Sequence, residues 1–97
     1  MNIRFTRAIR TSSSERYLIH IDGDGDDAVL ELHYLTDGTV AGTLIVLDKK
    51  YASKEVAAEI LQEADRLLLP TASLTAGNLV FTAVKGSLIG EFKAAGD

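Results

Sequence analysis

Four successive segments that alternate apolar and polar residues, one amphipathic stretch after them and turn residues between them predict an α+β fold. The expected arrangement is an antiparallel sheet built from hairpins, with one helix packed on one face, in the order β-β-β-β-α-β-β. The 97 residues, 46% of them hydrophobic, fit a single domain over 1–97 with one core.

Ile3, Phe5, Arg7 and Ile9 alternate with Asn2, Arg4, Thr6 and Ala8, the period of a strand with one buried face. Thr11-Ser12-Ser13-Ser14 interrupts it, so residues 1–16 read as a basic N-terminal strand and a serine-rich connection. Tyr17, Ile19 and Ile21 then oppose Leu18 and His20, and Ala28, Leu30, Leu32 and Tyr34 oppose Val29, Glu31, His33 and Leu35. Asp22-Gly23-Asp24-Gly25-Asp26-Asp27 joins these two strands. With a regular turn, His20 falls opposite Val29 and Arg16 opposite His33.

Thr36-Asp37-Gly38-Thr39 carries the Asp-Gly pair of a two-residue type I′ hairpin. That turn places Thr36 against Thr39, Leu32 against Thr43, Leu30 against Ile45 and Ala28 against Leu47. Ser53 is positioned to cap a helix, and Val56, Ala57, Ile60, Leu61, Ala64, Leu67 and Leu68 recur at three- and four-residue spacing from Lys54 to Leu69, before Pro70 stops it. Leu79 to Val84 and Ser87 to Phe92 read as a second hairpin around Lys85-Gly86, and residues 94–97 as a frayed tail.

One face of this sheet is nearly all apolar: Tyr17, Ile19, Ile21, Ala28, Leu30, Leu32, Tyr34, Ala41, Thr43, Ile45 and Leu47. It is the expected seat of the helix. The other face mixes Leu18, Val29, Leu35, Val40, Leu44 and Val46 with Arg16, His20, Glu31, His33 and Gly42, so it needs a further cover, either the C-terminal hairpin or a second copy of the chain.

Charge and composition narrow the function. The chain has no cysteine, which excludes disulfides, thiolate metal sites and a cysteine nucleophile. Its net charge of −4 argues against nucleic acid as a partner. Residues 1–16 hold four arginines against one glutamate, +3, and the remaining six cations face thirteen acidic residues, −7. No stretch is long and apolar enough for a membrane span, and the first residues lack the apolar core of a secretion signal, so a cytoplasmic protein is expected.

The aspartate run puts carboxylates at the first, third and fifth positions of a loop, as in a calcium-binding EF-hand loop. It departs from that pattern at Asp27, where the turn glycine belongs, and at His33, where the closing glutamate belongs, and a strand follows instead of a helix. An EF-hand is excluded. A looser calcium-type site on Asp22, Asp24, Asp26 and Asp27 and a plain hairpin turn both fit, and calcium is the one cofactor the sequence suggests.

His20, Glu31 and His33 share the mixed face and are candidates for a metal site or a small active site. No serine stands in a Gly-x-Ser-x-Gly elbow. Glu55, Glu59 and Glu63 recur every four residues as an acidic helix stripe; with Arg4 and Arg7 of the basic strand they are the candidate partner-binding residues. The expected function is a non-enzymatic protein-binding or regulatory module that forms a homodimer. A calcium-binding module and a small enzyme on the histidine face are the alternatives.

Overall fold

The computed structural model describes residues 1–68, 79–90 and 92. Five strands form one sheet: β1 (Ile3–Arg10), β2 (Ser14–Ile21), β3 (Ala28–Tyr34), β4 (Val40–Val46) and β5 (Leu79–Lys85), adjacent in chain order. The first four pair antiparallel, and β5 lies parallel to β4. Helix α1 (Lys54–Leu68) connects β4 to β5, preceded by a single 3₁₀ turn at Lys49–Tyr51 that Asp48 caps through its Lys50 N–H contact of 2.9 Å.

The α+β class and the four-strand, one-helix start of the order hold, but among the described residues no second hairpin forms. β5 runs on through Lys85, and Gly86 N–H donates to the Val46 carbonyl at 3.0 Å, extending the parallel ladder. Residues 86–90 contain no strand. The β4-to-β5 connection passes through α1, and a connection of that length lets β5 lie parallel to β4, where a short turn would have forced an antiparallel pair. Glu91, residues 94–97 and the expected stop at Pro70 lie outside the described residues.

The β3–β4 turn also differs from expectation. A type I′ turn needs positive φ at both central residues, whereas Asp37 stays outside that region and Gly38 alone enters it, at φ 88°. Gly38 N–H donates to Leu35 C=O at 3.1 Å and Leu35 N–H to Thr39 C=O at 2.9 Å. The result is a three-residue loop, Thr36-Asp37-Gly38, with the left-handed glycine closing it as a bulge. One added loop residue shifts the register by one: Tyr34 faces Val40, Leu32 faces Gly42, Leu30 faces Leu44 and Ala28 faces Val46. Every side chain of β4 is therefore reversed. Val40, Leu44 and Val46 are buried under the helix, while Ala41, Thr43 and Ile45 turn to the opposite face. Leu35 lies in the turn and is exposed.

The two central strands keep their predicted faces. Tyr17, Ile19, Ile21, Ala28, Leu30 and Leu32 are buried with Ile60 and Ala64 of α1 and Leu79 of β5. Ser53 caps the helix as expected, accepting from Val56 N–H at 3.2 Å through its Oγ. Leu67, by contrast, is half exposed, off the packed face. Gly42 leaves room for the Phe81 ring, which a β-carbon at that position would strike. Phe5 packs edge-on against Tyr17, with ring centroids 6.3 Å apart.

The molecule is a slab 39 × 36 × 19 Å. Its 19 Å thickness is that of one sheet and one helix layer, since packed layers stand about 10 Å apart. Among the described residues the helix covers one face of the sheet, and no helix is long and apolar enough to cross a membrane.

Candidate functional site

The uncovered sheet face takes one alternate set of side chains from each strand. Leu18 of β2 pairs with Val29 of β3, which pairs with Ile45 of β4; these three are half-buried by their neighbours. Ile45 faces Val84 in β5, and Val80 and Val84 are 56% and 46% exposed. A bulge in β1 between Arg7 and Ile9 turns Ile9 onto this face opposite Arg16, where it is 47% exposed. The bulge corrects the expected alternation, which kept Ile9 on the side of Ile3 and Phe5.

The charged groups of this face are paired with one another. The Arg16 guanidinium donates to Glu31 Oε1 through Nε at 2.9 Å and through Nη2 at 2.6 Å. This is a correction of partner: the β2–β3 register sets Arg16 against Glu31, Leu18 against Val29 and Ser14 against His33. The shift is by two positions, which changes each pairing and preserves each face. His33 is exposed beside a cleft of 150 Å³ shared with Ile9, Ser14 and Arg16.

His20 is a structural pin. Its Nδ1 lies 2.9 Å from the Gly25 carbonyl and its Nε2 2.8 Å from Thr6 Oγ1. A carbonyl only accepts, so Nδ1 carries a proton, and Nε2 shares the second hydrogen bond with the Thr6 hydroxyl. The ring is 8% exposed and joins β1, β2 and the aspartate loop. His20, Glu31 and His33 thus share a face as expected, but His20 and Glu31 have different partners and His33 stands exposed apart from both.

The four aspartates of the loop are likewise engaged singly. Asp22, at φ 57°, accepts Asn2 N–H at 2.7 Å; Asp24 meets Arg4 Nη2 at 2.7 Å; Asp26 lies 3.6 Å from His20 Nδ1; and Asp27 Oδ2 accepts Ile21 N–H at 2.7 Å. Among the described residues no three histidine, aspartate or glutamate side chains converge as a metal site.

The candidate partner-binding residues divide among surfaces. Arg4 lies on the open face and is held by the aspartate loop through Asp24 and the Gly23 carbonyl. Arg7 pairs with Tyr17 on the helix side. Glu55 and Glu59 are exposed on α1, and Glu63 is tied to Arg66, whose charge and hydrogen bond hold the Glu63 carboxyl below its ordinary range.

Two features were not singled out from sequence. Glu15 is a carboxylate only 5% exposed, bonded by the Arg10 guanidinium and the Tyr17 hydroxyl. It stands two residues before Tyr17, so the strand's alternation already placed it on the buried side. Burial raises the nearby Tyr34 phenol above its ordinary value, and Tyr17 adds to the rise while Arg10 and Arg7 oppose it. The second feature is a cleft at the ends of β4 and β5, with adjoining volumes of 350 and 450 Å³, lined by Val46, Ala52 and Lys85 in common. It exists because β4 and β5 end side by side, which requires the parallel pairing that turn signals do not encode.

Comparison of the chain with families of proteins, with curated proteins and with solved structures finds no match.

Proposed function

We propose that the protein is a non-enzymatic, cytoplasmic protein-binding module that assembles with itself and presents its open sheet face to a protein partner. The observation that carries this reading is the one-sided sheet. Leu18, Val29, Ile45 and Val84 run as an apolar row across this face, Val80 and Val84 are exposed at its β5 edge and Ile9 at its β1 edge, and its charges pair as Arg16 with Glu31 and Arg4 with Asp24. An apolar row beside paired charges favours burial against protein over continued exposure to water. A binding role without chemistry is favoured because His20, Glu31 and the loop aspartates Asp22, Asp24 and Asp27 each serve a separate local contact, while His33 stands apart from them.

Light scattering on the full chain across a dilution series tests the reading. A mass of twice the chain at micromolar concentration, falling toward the monomer on dilution, is expected. A monomer at every concentration contradicts it.

A further inference from the structure

The two edges of the sheet are built differently. β1 carries Arg4, Arg7 and Arg10 and a bulge after Arg7, and both devices discourage pairing with another strand. β5 has neither. From Leu79 to Val84 it contains no charge, no proline and no bulge against β4, and its sequence LVFTAV is rich in strand-forming residues. It is the last strand of the sheet, so among the described residues one row of its backbone groups has no strand partner.

We propose that β5 pairs antiparallel with β5 of a second copy, about a two-fold axis at Thr82, to make a continuous ten-stranded sheet. The proposal rests on the self-associating reading above and names the surface that performs it. The residues are self-complementary in this register. Val80 of each copy lies across from Val84 of the other on the open face, covering the side chains that are 56% and 46% exposed in the single chain. Phe81 lies across from Ala83 on the helix side, large against small. Lys85 faces Leu79, so the strand's one charge never meets itself. Two-fold pairing is the closed, isologous arrangement that stops at a dimer, and the arginine-bearing β1 edges are left outermost. The open faces of the two copies join into one platform for the partner.

Because Val80 meets Val84, charge substitutions there read the register directly. Val80→Lys with Val84→Lys sets lysine against lysine twice, and a rise in the dimer dissociation constant of roughly tenfold or more is expected. Val80→Lys with Val84→Glu sets lysine against glutamate twice and restores the dimer. Light scattering gives the mass, and circular dichroism confirms that both variants keep the fold. If the two variants dissociate equally, or if neither weakens a wild-type dimer, the β5 pairing is wrong while self-association stands. A wild-type chain that is monomeric throughout overturns both.

Discussion

Tyr34 lies across from Val40 at the mouth of the β3–β4 hairpin, and this pairing decides which half of β4 enters the core. Val40 through Val46 is apolar on both alternations, so the turn selects the face. Gly38, at φ 88°, is the residue that permits the three-residue loop. Gly38→Val puts a β-branched side chain in the left-handed region and is expected to cost about 1–3 kcal/mol in urea unfolding. A change within experimental error would mean that the loop does not set the register.

Asp37 supports the same loop by accepting Thr39 N–H at 2.9 Å. That hydrogen bond lowers its pKa below the ordinary 3.8. A depressed carboxyl stabilises the folded state at pH values above its unfolded pKa, and the contribution disappears as pH falls through the folded value. Thermal unfolding of wild type and Asp37→Ala should therefore differ at pH 6 and converge well below the Asp37 folded pKa. A difference that persists unchanged there contradicts this role.

Gly42 and Phe81 face each other across β4 and β5. Gly42→Ala forces a methyl group into the Phe81 ring and should destabilise by about 1–3 kcal/mol. Combined with Phe81→Leu, the same change should cost less than the sum of the two alone. Strict additivity would indicate that the ring does not occupy that space.

The His20 bridge gives a test of the aspartate loop. His20→Ala leaves the Gly25 carbonyl and Thr6 hydroxyl without their partner, and a loss of about 1–3 kcal/mol is expected, with faster amide exchange across residues 22–27. Calcium titration of the wild type should produce no saturable shift of those amides at millimolar concentration, since Asp22, Asp24 and Asp27 are each held by a separate contact. A saturable shift would identify the loop as a cation site.

The sequence was most legible where one alternation was apolar and the other polar. Tyr17, Ile19 and Ile21 against Arg16 and His20, and Leu30 and Leu32 against Glu31 and His33, assign their own faces. β4 and β5 do not, because Val40 to Val46 and Leu79 to Val84 are mostly apolar in both phases, with Thr43 and Thr82 as their one polar residue each. Their placement depends on one turn residue and on the connection through α1. For the candidate site, His20, Glu31 and His33 were placed on the correct face, since the β2–β3 register differed by an even number of residues. The partners of His20, Thr6 and the Gly25 carbonyl, and that of Glu31, Arg16, depend on the loop conformation and on the strand register it sets, which no residue spacing specifies.

Backbone amide exchange measured at high and at low protein concentration tests self-association through β5 most directly. Protection of the β5 amides that point away from β4 should fall on dilution while that of β1 stays unchanged. Protection in β5 that is independent of concentration, or a dilution effect confined to β1, would contradict it.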